Sequence, residues 1–182
     1  MSGLRELTQK YASKLKDMPD KRKEFALKIA FDSFALVAYR IQNYGIDANG
    51  NKMKGYSTAK MPYWKLDPTD YNGSGKVSRF KKDAAAGKVI PSYKTFREYY
   101  GLPTDRRTLT FDGKMFESIE PFISEHTEVL TEVTIKSKDE KNQKKVNVNS
   151  NIVGINILSF GDDEKEFIRE ANEKRVNDFF KN

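Results

Sequence analysis

Tyr93-Lys-Thr-Phe-Arg-Glu-Tyr-Tyr-Gly-Leu-Pro-Thr-Asp-Arg-Arg-Thr-Leu-Thr-Phe-Asp-Gly-Lys-Met-Phe-Glu-Ser-Ile119 joins a basic, aromatic run to a segment in which the apolar period changes. Residues 94–100 suit a short helix stopped at Gly101. Residues 107–111 alternate polar and apolar side chains, which predicts a half-buried strand. Asp112-Gly113 tolerates positive φ and predicts a turn, after which Met115, Phe116 and Ile119 return at helical spacing. The reading is strand, turn, helix.

Upstream, Leu4, Leu7, Tyr11 and Leu15 recur every three or four residues, so a short amphipathic helix is expected before Met18-Pro19. Pro19 is suited to open a second helix, where its missing N–H would be unpaired anyway. That helix, residues 20–44, carries Phe25, Ile29, Leu36, Val37, Ile41 and Tyr44 on one face, widened by Leu27, Phe31 and Phe34. So wide an apolar circumference implies burial on more than one side, and Gly45 is the expected stop.

Downstream, residues 127–136 alternate Val129, Thr131, Val133 and Ile135 against charged neighbours, a strand pattern. Residues 137–143 read as a charged turn, and residues 145–149 and 152–158 as returning strands of an antiparallel meander. Gly161-Asp162-Asp163 opens a last helix with its carboxylates at the favourable end of the dipole, and Phe167, Ile168 and Ala171 form its apolar face. The expected fold class is α+β: an antiparallel β-sheet packed with a long N-terminal helix and a C-terminal helix, plus an extended basic aromatic arm.

Length supports one domain over residues 1–182, with residues 46–106 as an arm or insertion. Apolar residues make up 37% and charged residues 32%, which suits a small core or a subunit covered by neighbours. The absence of Cys removes disulfides and thiolate metal sites and fits a reducing cytosol. The opening residues lack the apolar core of a secretory signal, and no apolar run approaches the about 18 residues of a membrane span.

Charge is concentrated. Residues 52–107 hold 13 basic and 5 acidic side chains, net +8, so the rest of this +7 chain sums to −1. The cations alternate with Tyr56, Tyr63, Trp64, Tyr71, Phe80, Tyr93, Phe96, Tyr99 and Tyr100. Lys and Arg at this density can neutralise phosphates while the rings stack on bases. Equally, Tyr, Trp and Arg dominate protein interfaces, and an arm draped on a neighbour would have this composition.

Catalytic patterns are incomplete. Asn72-Gly-Ser-Gly-Lys76 lacks the first Gly and the final Ser or Thr of a phosphate-binding loop, since Asp70 and Val77 stand there. Asp47-Ala-Asn-Gly-Asn51 lacks the Gly and Glu spacing of a calcium loop and reads as a tight turn. His126 is the only histidine; with Glu125 and Glu128 beside it but no fixed nucleophile, it reads as a strand-edge surface residue. Carboxylates alone can hold magnesium, but no constellation points to one. No catalytic residue, cofactor or metal is therefore expected.

Arg97, Gly101, Leu109, Thr110, Gly113, Met115, Ser118 and Ile119 stand in an order that resembles the head-to-tail joining, or tail-completion, proteins of tailed phages. That family's middle section runs Tyr, a basic residue, Gly, then Leu-Thr-x-x-Gly-x-Met-x-x-Ser-Ile. Its upstream Asp-x-x-Gly turn and Tyr-Ser pair are matched by Asp47-Ala-Asn-Gly50 and Tyr56-Ser57. The resemblance departs in an insertion between Ser57 and Tyr93, and at Arg175-Val-Asn-Asp-Phe-Phe180, where the family often carries a further helix.

The resemblance implies a structural virion protein, made in the host cytoplasm, that forms a homo-oligomeric ring at the head–tail junction as adaptor, head-closure or tail-completion protein. Portal or adaptor protein and tail proteins would be its partners, with DNA passing through the lumen and no membrane. The expected body is the helix of residues 20–44 and the sheet of residues 127–158. The arm would anchor on a neighbour through Tyr63, Trp64, Tyr99 and Tyr100, while Arg79, Lys81, Lys82, Arg106 and Arg107 meet acidic partner surface or face the lumen. The alternative is a basic nucleic-acid-binding module used in phage packaging or replication.

Overall fold

The computed structural model describes residues 2–62, 74–110 and 113–181. Its elements are α1 (Ser2–Tyr39), a π-helical turn (Arg40–Tyr44), α2 (Ser74–Ala85), α3 (Tyr93–Tyr99), α4 (Lys114–Glu117), β1 (Ile119–His126), β2 (Thr131–Ser137), α5 (Glu140–Val153) and α6 (Asp162–Lys181). The α+β class holds: a long N-terminal helix, a two-stranded antiparallel sheet and a C-terminal helix.

The two N-terminal helices expected from the sequence are one. Pro19 lies inside α1, because α6 runs antiparallel beside it and is tied to it on both sides of the proline. Before Pro19, Tyr11 stacks on Phe180 and Lys14 Nζ donates to the terminal carbonyls of Phe179 and Phe180 at 3.0 and 3.1 Å. After it, Phe25 meets Phe179 edge-on and Arg175 pairs with Asp32. A proline removes one intrahelical bond and crowds the preceding turn; a partner helix spanning the defect offsets that loss. Gly45 ends the helical run in the left-handed region, as expected, with φ 64°.

The hairpin pairs Ile119 with Ser137 and His126 with Thr131, interrupted by a bulge between Ile123 and Glu125. β1 was hidden in the sequence by Pro121, which cannot donate to a ladder and is tolerated only where its side of the strand is unpaired. The strand expected at residues 107–111 is absent over the described residues 107–110: Leu109 has φ 55°, which breaks any extended run. The strands expected at residues 145–149 and 152–158 are corrected too. Most of that stretch is α5, opened by Asp139, whose carboxylate accepts from Asn142 N, and closed by Gly154 at φ 88°. The Val-Asn-Val-Asn alternation mimicked a strand, but it is Val146 and Val153, seven apart on one helical face, that reach the core.

That core packs Val37 of α1 and Ile41 of the π-helical turn against Met115, Phe116, Ile119, Val146, Ile157 and Leu158. The expected burial of this helical run on more than one side is corrected: Ala30, Ser33 and Val37 form one buried stripe, facing both strands and α6, while Phe31 and Tyr44 are more than half exposed. A second cluster lies within the basic segment, where Phe80 of α2 is 0% exposed and meets Phe96 of α3. The stretch expected as an extended arm thus contains a helix, whose buried Val77 and Phe80 stand among cations in the sequence.

Candidate interface site

Tyr56, Pro103, Thr108 and Thr110 converge on one guanidinium. Arg97 leaves α3 with 1% of its surface exposed; its Nη1 donates to Thr110 O at 2.8 Å, and its Nη2 to Thr108 Oγ1 and Pro103 O, both at 3.2 Å. Its planar face lies 4.0 Å from the centre of the Tyr56 ring. The Tyr56 hydroxyl accepts from the backbone N–H of Thr108 and of Leu109, at 3.1 and 3.2 Å. Two backbone donors that a strand would have used are thereby taken by a side chain 52 residues away, which is why no strand forms there.

Arg107 stacks on the same ring at 5.4 Å and is 7% exposed. Its Nη2 donates to Gly55 O at 3.1 Å and its Nη1 to Asn149 Oδ1 at 3.3 Å, while its Nε is without a partner among the described residues. Among the described residues no carboxylate pairs with it. Burial pulls the guanidinium below its ordinary range, Tyr56 and Tyr93 oppose that pull, and Arg97 adds to it. Tyr93 is pushed up by burial against the counter-pull of Arg97.

These groups wall a partly open cavity of about 400 Å³. Arg97, Arg107 and Lys145 supply positive charge, and Leu109, Met115 and Ile152 supply apolar wall. Beyond Met115 of its wall the chain is tied to the hairpin: Ser118 Oγ meets Ser137 Oγ at 2.8 Å, Ser118 O accepts from Lys138 N, and Met115 and Ile119 enter the core. Gly113, at φ 84°, makes the reversal into α4 that this route requires.

The expected interface residues divide into several environments. Tyr63 and Trp64, like Tyr71, lie outside the described residues. Tyr99 and Tyr100 are half-buried against their own chain, with ring centres 5.3 Å from Phe80 and 5.0 Å from Phe96 respectively. The Tyr99 hydroxyl donates to Asp83 at 2.9 Å, which pushes its phenol up. Arg79 and Lys82 are exposed on α2, and Lys81 is half-buried. Arg106 is half-buried and pairs with Asp105 at 2.9 Å, whereas Arg107 points inward to the cavity. Lys145 and Asn149 were missed because they were read on a strand; only the helical register of α5 turns both to this wall.

His126 ends β1 on the surface, its Nδ1 2.8 Å from Thr131 Oγ1. Asp47 forms the expected tight turn, its Oδ1 accepting from Asn49 N and Asn51 N at 2.9 Å. Among the described residues no three His, Asp or Glu side chains are grouped to hold a metal ion, and no helix is long and apolar enough to cross a membrane. No family model, curated protein or solved structure matches this chain.

Proposed function

We propose that this chain is a structural virion subunit that assembles as a ring at the head–tail junction of a tailed phage, in an adaptor, head-closure or tail-completion role. The observation that carries the reading is the convergence of motif residues. Tyr56 and Arg97 come from separate parts of the sequence, yet they meet Leu109-Thr110, Gly113 and Met115 around one cavity, while Ser118 of the same run bonds to Ser137 at the base of the hairpin. A motif spent on holding elements in register suits a part whose work is geometry. Repeating, closing contacts between copies then need a rigid frame that presents different patches to its two neighbours.

Imaging the neck of purified particles of the encoding virus, with the chain identified by mass spectrometry, tests this. Ring density at the junction is the expected result. Mature particles without the chain, or efficient turnover of a compound by the isolated monomer, would overturn it.

A second reading, a nucleic-acid-binding module, is favoured by the exposed Arg79 and Lys82 on α2 and the nearby Lys88. It requires tight retention of free duplex with a steep salt slope. The ring subunit is expected to bind short duplexes weakly.

A further inference from the structure

The hairpin tip is chemically opposite to the cavity. Residues 124–130 are all exposed, and Val129 and Leu130 present 85% and 49% of their surface to solvent. Around them stand Glu125, Glu128 and Glu132, with no Lys or Arg in residues 124–132. None of the three carboxylates is ion-paired among the described residues. Glu125 and Glu132 face each other directly across the ladder at the bulge, an arrangement that repels when left unneutralised. Arg22 approaches the turn, but its Nη1 donates to the backbone carbonyl of Glu128 at 2.6 Å. The tip is also shaped: Thr127 N donates to Leu130 O at 2.8 Å, and the Arg22 bond braces the loop against α1.

We propose that the hairpin tip of one copy docks in the Arg97–Arg107–Lys145 cavity of the next copy, Glu128 entering the cationic wall and Val129 and Leu130 covering Leu109, Met115 and Ile152. Three features choose this occupant. Among the described residues the cavity pairs positive charge with apolar wall, and the tip pairs negative charge with apolar side chains, so the two surfaces are complementary in charge. Both guanidiniums lie beneath the surface, Arg97 1% and Arg107 7% exposed, a depth that disfavours a phosphate fixed on a duplex. Finally, β1 starts just after Met115 of the cavity wall and runs 8 residues to the tip, a strand length of about 25 Å, so a tip cannot fill its own cavity. A contact between two different patches on identical chains is head-to-tail, the kind that closes into rings.

This deepens the ring proposal and rests on it. The test uses the full-length chain, with a photo-crosslinking amino acid in place of Val129, and measures assembly by sedimentation across concentration. Expected are intermolecular crosslinks mapping to α5 near Lys145, and an assembly midpoint about tenfold higher for Glu128→Lys. Lys145→Glu, a change at a half-buried side chain, is expected to weaken assembly similarly. The double variant is expected to lose less than the sum of the two, because the changes act on one contact. Far-UV circular dichroism of each variant separates lost contact from lost fold.

Assembly with crosslinks elsewhere, or unchanged by both substitutions, would overturn the tip contact and leave the ring standing. A chain that stays monomeric yet is found in particles, crosslinked to another protein, would do the same. A chain monomeric at all concentrations and missing from particles would sink both. Protection of the cavity by short duplex DNA, in place of a second copy, would instead identify a nucleic-acid site.

Discussion

Tyr56→Phe removes a single oxygen, yet that oxygen accepts two backbone N–H groups and lies beside Thr108 Oγ1 in a buried knot. Leaving buried donors unpaired costs about 1 to 3 kcal/mol, so the variant is expected to lose about that much in urea unfolding. The ring itself would remain under the two guanidiniums, which separates the hydrogen-bond loss from loss of the cation–π stack. An unchanged midpoint would mean that water replaces the phenol. The identity of Tyr56 and Arg97 was legible in the sequence as part of a motif, but their meeting was not. Stacking across 41 positions leaves no periodic trace, and the interior destination of Arg107 was disguised by Arg106 beside it, which stays nearer the surface.

At the scale of the element, α1 is a helix kept continuous across a defect. Pro19→Ala restores an N–H and removes the ring clash, so it is expected to stabilise the protein by about 1 to 3 kcal/mol. Unfolding midpoint and helical ellipticity would both rise; a fall would show that the proline sets a bend the α6 contact needs. The same helix carries an acid-sensitive pair of contacts. Hydrogen bonds from Lys28 and Lys21 hold the Glu24 carboxyl down at about 2, against an ordinary 4.5. A depressed carboxyl contributes stability above its ordinary pKa and loses that contribution as pH falls toward the folded value. Glu24→Gln is therefore expected to flatten the stability profile between about pH 4.5 and pH 2. The difference should be small, because the pair is exposed and screened. It should shrink further in high salt; a variant with an unaltered acid limb would exclude the contact as a contributor.

For the molecule as a whole, the two apolar clusters divide the labour. One, around Val37 and Ile41, joins α1, the hairpin and α5; the other, around Phe80 and Phe96, holds α2 to α3. The knot of Tyr56 and Arg97 lies between them. Phe80→Ala is expected to cost about 3 to 5 kcal/mol locally. Amide exchange should speed in α2 and α3 while the amides around Val37 and Ile41 keep most of their protection. Uniform acceleration would show that the knot couples the clusters into one cooperative unit. This division was half visible beforehand, since the block of positive charge from residue 52 to residue 107 contains the second cluster entirely.

Local chemistry by itself determined the α+β class, the helical run that ends at Gly45, the short helix before Gly101, the Asp47 turn and the C-terminal helix. Each depends on neighbours within a turn or two: an apolar stripe, a cap, a residue free to take positive φ. Tertiary structure decided the rest, because there local preference was weak or divided. Residues 107–110 alternate like a strand until Tyr56 claims their donors; residues 145–149 alternate like another until Asp139 and the core impose a helix; Pro19 would break α1 were α6 not alongside. Whether three cations form a surface or line a cavity is a matter of how distant segments pack. The free energy that settles it arises only when those segments have met.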